Sequence, residues 1–134
     1  MEIKSVQWIS SAKNESDYLV RQAQDKPMAG DHFLAVKYFK EAIEKYPRNA
    51  NAHTLMGNCQ DCLDKLEDAI ASYDAALQID PDNAEAWFNK GITLKKKGEI
   101  NESTQCIEKC IDMYCADNHS AFFSFFICLN LKNR

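Results

Sequence analysis

Asn49-Ala50-Asn51-Ala52-His53 and Asn83-Ala84-Glu85-Ala86-Trp87 are one pattern written twice, 34 residues apart. Carried along the chain, that shift superposes the small residues. Gly57 falls on Gly91 and, one period earlier, on Ala23. Ala35 and Ala69 fall on Ser103, and Ala42 and Ala76 fall on Cys110. A ring or bulky aliphatic recurs as Phe39, Tyr73 and Ile107, followed by Ile43, Leu77 and Ile111. Pro47 and Pro81 close two periods, with Asn49 and Asn83 just after them. A fixed period of this length marks a repeat architecture, in which each unit buries its apolar face by stacking on its neighbours.

Each period predicts two helices. In the middle unit Leu55, Met56, Cys59 and Leu63 recur at helical spacing over 51–63, and Ala69, Ile70, Tyr73, Ala76 and Leu77 share one face over 66–79. Asp64-Lys65 is the turn between them, and Asp80-Pro81-Asp82-Asn83 stops one unit and caps the next. Gly30 and Gly98 stand at the matching turns of the neighbouring units, as helix C-terminal breakers.

These residues closely resemble the tetratricopeptide repeat family: Trp87, Gly91, Gly98 and Ile107 in one unit, Gly57, Ala69, Tyr73, Ala76 and Pro81 in another, and Gly30, Ala35, Phe39, Ala42 and Pro47 in the first. The resemblance covers three repeats, 16–49, 50–83 and 84–117, with 118–134 as the first helix of a partial fourth. Residues 1–15 are an N-terminal capping segment in which Ile3, Val6, Trp8 and Ile9 cover the first repeat. Three positions depart from the pattern. Pro27 shortens the first helix of repeat one, Cys115 stands where Pro is expected, and Phe125 replaces the small residue of Gly57 and Gly91. The implied fold is all-α, a right-handed superhelical solenoid of antiparallel helix pairs whose first helices line a concave groove.

Helical geometry selects the groove residues. Thr54, Asn58 and Asp61 lie at i, i+4 and i+7 on one face. Shifting by one period gives Phe88, Ile92 and Lys95, and a further period gives Phe122, Phe126 and Leu129. One period back gives Val20, Gln24 and Pro27. The floor thus runs from mixed polar to strongly apolar, which suits an amphipathic helix or hydrophobic peptide. Asn58 and Lys95 would set its register. Plain packing of Phe122 and Phe126 within an assembly is the competing reading. Some family members clamp chaperone C-terminal carboxylates with Lys, Arg and Asn. In this sequence that set lands on Val20, Gln24, Leu55, Glu85 and Asn89, or on Thr54, Asn58, Asn89, His119 and Phe123, and neither register supplies the cations.

Composition agrees with a helical domain and excludes several classes. Of 134 residues, 46% are hydrophobic and 27% charged, with only four Gly and three Pro, so disorder and turn-rich β folds are poor matches. Sixteen Lys+Arg against twenty Asp+Glu give a net charge of −4, which argues against a nucleic-acid partner. No apolar run reaches the roughly 18 residues of a membrane helix, and the N-terminus lacks a signal-peptide core. The six cysteines are accordingly read as reduced thiols in the cytoplasm. The stretch 121–131 is apolar all round, where a terminal repeat should be polar outside. A larger complex, a homodimer seam and a longer repeat array would each account for it.

Signs of chemistry are weak. Cys59-Gln60-Asp61-Cys62 has the CxxC spacing, but its partners would be Cys106, Cys110 or Cys115, all inside helices rather than on knuckles. His32, His53 and His119 stand in no sequence pattern that marks a nucleophile and its base. Glu67-Asp68 and Lys95-Lys96-Lys97 fit the dipoles of helix starts and ends. No phosphate-binding Gly loop is present. The expectation is a non-enzymatic scaffold or adaptor without metal or cofactor. It binds a protein or peptide and neither nucleic acid nor the membrane interior. A structural subunit of a cytoskeletal or ciliary assembly, and the targeting module of a longer enzyme, are the alternatives.

Overall fold

The computed structural model of the chain describes residues 2–28 and 30–118. These form six helices: α1 (Glu2–Met28), α2 (His32–Lys45), α3 (Ala50–Cys62), α4 (Leu66–Ile79), α5 (Ala84–Lys97) and α6 (Ile100–Asn118). Helices pair as α1 with α2, α3 with α4 and α5 with α6, and each pair stacks on the next through α2–α3 and α4–α5. The first helices also touch directly, α1 with α3 and α3 with α5. The architecture is an all-α helical-repeat solenoid. None of the described helices is long and apolar enough to cross a membrane.

The period of 34 is written into the backbone at three levels. Gly30, Asp64 and Gly98, each 34 apart, adopt φ of 82°, 60° and 94° and reverse the chain between paired helices. Asn49 and Asn83 cap α3 and α5, their side chains accepting from the N–H of Ala52 and Ala86. The small residues aligned by the shift are all buried: Ala23, Gly57 and Gly91; Ala35, Ala69 and Ser103; Ala42, Ala76 and Cys110. Ser103, standing where its counterparts are alanine, donates to the Gly91 carbonyl at 2.7 Å, so its buried hydroxyl is satisfied.

Asp64 is the one member of the left-handed series that is not glycine. A side chain in that region costs free energy that glycine avoids. Asp64→Gly is therefore expected to stabilise the chain by about 0.5–1 kcal/mol, after allowance for the greater freedom of glycine in the unfolded state. Thermal melting should rise by a few degrees, and an unchanged or lower midpoint would refute the assignment of strain there.

Two expectations about the first helix change. α1 runs unbroken for 27 residues, through the point at 15–16 where a separate capping segment was expected to end. Trp8 is 72% exposed and Ile9 is exposed as well, so neither covers the first helix pair, while the side chains of Ile3 and Val6 lie outside the described residues. The reason is length: Glu15 pairs with Lys45 at the end of α2, and Ser16 donates to the Ala42 carbonyl at 2.7 Å, so the preceding residues of α1 extend past the end of their partner. Nor does Pro27 shorten the helix. α1 reaches Met28, which matches the end of α3 under the shift. Closure uses Asp31 N–H to the Lys26 carbonyl at 2.9 Å, a bond that needs no donor at position 27.

Candidate protein-interaction groove

α3 and α5 lie side by side, and a polar cluster joins them where they face each other. Asn58 on α3 holds its centre: its Oδ1 accepts from the Tyr73 hydroxyl of α4 at 2.8 Å and from Asn89 Nδ2 of α5 at 2.9 Å. One turn further on, Asp61 accepts from the Thr93 hydroxyl at 2.6 Å and from the Lys96 ammonium. Tyr73 is 1% exposed, and burial, followed by the charge of Asp61, pushes its phenol pKa up. The group therefore remains a neutral donor throughout the physiological range. Asn58, Asp61, Cys62, Tyr73, Asn89, Ile92 and Lys96 line a depression of about 190 Å³ on this face.

The structure sorts the residues chosen from helical spacing. Asn58 and Ile92 meet in the depression. Phe88, one turn before Ile92, is 42% exposed. Thr54 is not on the surface: it is 1% exposed, donates to the Ala50 carbonyl and accepts from Asn83 Nδ2 at 3.3 Å. The cap residue of the next helix pair covers it. Lys95 is exposed, but the lysine that turns into the depression and pairs with Asp61 is Lys96. Phe122, Phe126 and Leu129, with the whole of 119–134, lie outside the described residues.

Helical spacing did not select Tyr73, Asn89 and Lys96, which line the depression, although Asn89 falls in both clamp registers. Tyr73 aligns with the core rings, and only its hydroxyl reaches the groove. A second feature was visible as an alignment without a role. His53 Nε2 sits 3.1 Å from the Pro47 carbonyl, and Trp87 Nε1 donates to the Pro81 carbonyl at 2.8 Å. The two rings thus make the same tie back across consecutive turns.

The five cysteines among the described residues divide by exposure. Cys59, Cys106 and Cys110 are buried, while Cys62 and Cys115 are exposed. Burial, then the neighbouring Cys62, pushes the Cys59 thiol up to about 11. Among the described residues no group of His, Cys, Asp and Glu is arranged to hold a metal ion. Since the thiolate is the reactive form, iodoacetamide at pH 8 should label Cys62 and leave Cys59 almost untouched until the chain unfolds. Equal labelling of the two in peptide mass spectra would contradict this environment.

Comparison with known proteins agrees with the architecture. A family model described as TPR repeat matches residues 63–98, and two described as tetratricopeptide repeat match 38–71 and 84–114. Together they span more than half of the chain. The chain is 34% identical over 85 residues to the tetratricopeptide repeat-containing protein trd-1 of Caenorhabditis elegans, covering 63% of this chain and 11% of that protein. It is 29% identical over 96 residues to the mitochondrial import receptor subunit TOM70 of Rattus norvegicus, covering 71% of this chain and 16% of that protein. The chain thus matches only a small part of these much longer relatives. Among solved structures, the second TPR of Spaghetti (RPAP3), bound to the HSP90 peptide SRMEEVD, superposes with a TM-score of 0.79 at 18% identity, covering 84% of this chain and 96% of that one. With its three stacked helix pairs and 34-residue period, the chain belongs to the tetratricopeptide repeat family.

Proposed function

We propose that this chain is a non-enzymatic protein-interaction scaffold that takes a segment of a partner protein into the groove between α3 and α5. The observation that carries the reading is the pairing of Asn58 and Asn89 beside Ile92. Asn58 commits its carbonyl oxygen to Tyr73 and Asn89, and Asn89 commits its Nδ2 to Asn58. The atoms not engaged in those bonds, Asn58 Nδ2 and Asn89 Oδ1, are a donor and an acceptor, the complement of a peptide group. Next to them Phe88 and Ile92 offer apolar surface. Full burial of a Phe or Ile side chain is worth about 1.5–3 kcal/mol. Backbone recognition by the amide pair with side-chain burial on Phe88 and Ile92 is a recurring logic of peptide capture. The similar Spaghetti repeat is a structure with a bound peptide, which supports a groove of this fold as a peptide site.

The test is selection from a random 12-mer phage-displayed library on the immobilised chain. Enriched clones should lose binding to the Ile92→Glu variant. Clones that bind that variant undiminished would place the interaction elsewhere and sink the groove reading.

A further inference from the structure

We infer that Asp61 is a built-in anion that occupies the groove's own lysine, so that the site takes partner segments free of carboxylates where they cross α3 and α5. The inference rests on the groove reading above and adds the charge class of the partner. Asp61 is held from two sides, one oxygen taking the Lys96 ammonium and the other the Thr93 hydroxyl at 2.6 Å. Its side chain is 12% exposed, whereas Lys96, reaching across from α5, is 52% exposed. Geometry therefore fixes the acid, and the cation comes to it. Lys96 is the only cation among the residues lining the depression, and its charge is already matched.

A carboxylate arriving at the depression has two routes, both unfavourable. It can leave the Lys96 pair in place and approach Asp61, which is like-charge contact at a largely desolvated group. Or it can draw Lys96 away, which leaves Asp61 with Thr93 alone and an anion beside it. Glu85, exposed in the first turn of α5, adds a second negative charge felt at Tyr73. An uncharged or basic segment meets neither penalty. An asparagine at position 61 would keep an oxygen for Thr93 while releasing Lys96, and the site would then gain an unmatched ammonium for an incoming carboxylate.

The experiment runs the 12-mer phage selection in parallel on the wild-type chain and on Asp61→Asn. The wild type should enrich neutral and basic clones, and Asp61→Asn should shift the mean net charge of its clones by about one unit toward the acidic side. Acidic clones selected on Asp61→Asn should bind the wild type roughly tenfold more weakly. Adding Lys96→Met to Asp61→Asn should abolish that gain. A second variant guards against a folding defect in the first: Lys96→Met alone exposes Asp61 and should enrich Lys- and Arg-bearing clones. The same charge distribution on wild type and both single variants, with clones still lost on Ile92→Glu, would overturn the role of Asp61 and leave the groove reading standing. Clones indifferent to Ile92→Glu would overturn both.

Discussion

Gly57→Val is expected to destabilise the chain by about 3 kcal/mol and to lower its melting midpoint by roughly 10 °C. A Cβ placed on Gly57 would lie 2.6 Å from Cε1 of Tyr73 and 2.9 Å from Cδ1, closer than carbon atoms approach, and 3.0 Å from Cζ. The ring cannot easily swing away. It is buried in the α3–α4 contact, and its hydroxyl is anchored on Asn58. Relief must come from separating the helices or breaking the Asn58 bond. Gly57→Ala should cost less, because the higher helix propensity of alanine returns about 1 kcal/mol. Gly91→Val should also be milder. Its nearest neighbour is Cγ1 of Ile107 at 2.8 Å, a side-chain atom that can rotate, although the Ser103 carbonyl stands at 3.2 Å. Thermal unfolding by circular dichroism ranks the three variants. A Gly57→Val midpoint within 2 °C of wild type, on the order of half a kcal/mol, would mean that this close approach does not hold the pair together.

Ile92→Glu is expected to cost at least tenfold in capture of partner peptides, about 1.4 kcal/mol or more, while the fold survives. Ile92 is half-buried on the groove face, so glutamate can keep its carboxylate in water. The new acid would also lie four residues before Lys96 on α5, a favourable spacing on a helix. That pairing would draw Lys96 from Asp61 and place an additional charge where an apolar partner side chain should sit. Phe88→Ala, at a more exposed position, removes contact area without adding charge and should cost less. Binding of selected 12-mers by fluorescence anisotropy, with melting curves as the control for folding, separates the effects. Normal affinity in folded Ile92→Glu would show that the partner does not enter this groove.

Some of this was legible in the residues because it depends on short-range rules repeated along the chain. The two Asn-Ala-x-Ala patterns set the period, and the same shift predicts the turn residues 30, 64 and 98, all of which are left-handed in the structure. The cap residues and the small contact positions follow equally, since local hydrogen bonding and close packing leave few residue types free to serve. Asn58 and Ile92 could be chosen for the groove because one helix face is fixed by its own periodicity.

What a helix face touches is another matter, and it was here that spacing fell short. Thr54 shares its face with Asn58, yet Asn83 from the next unit lies over it. Lys95 and Lys96 are adjacent in sequence, but the placement of α5 against α3 turns Lys96 into the depression. Trp8 has the character of a capping residue, but α2 ends before reaching it. The repeat, the helix pairs and their turns follow from the order of residues, because these are written at separations of four residues or of one period. Which atoms meet across repeats emerges from packing, because it depends on how far one helix pair is shifted and rotated against the next, a quantity that no single residue encodes.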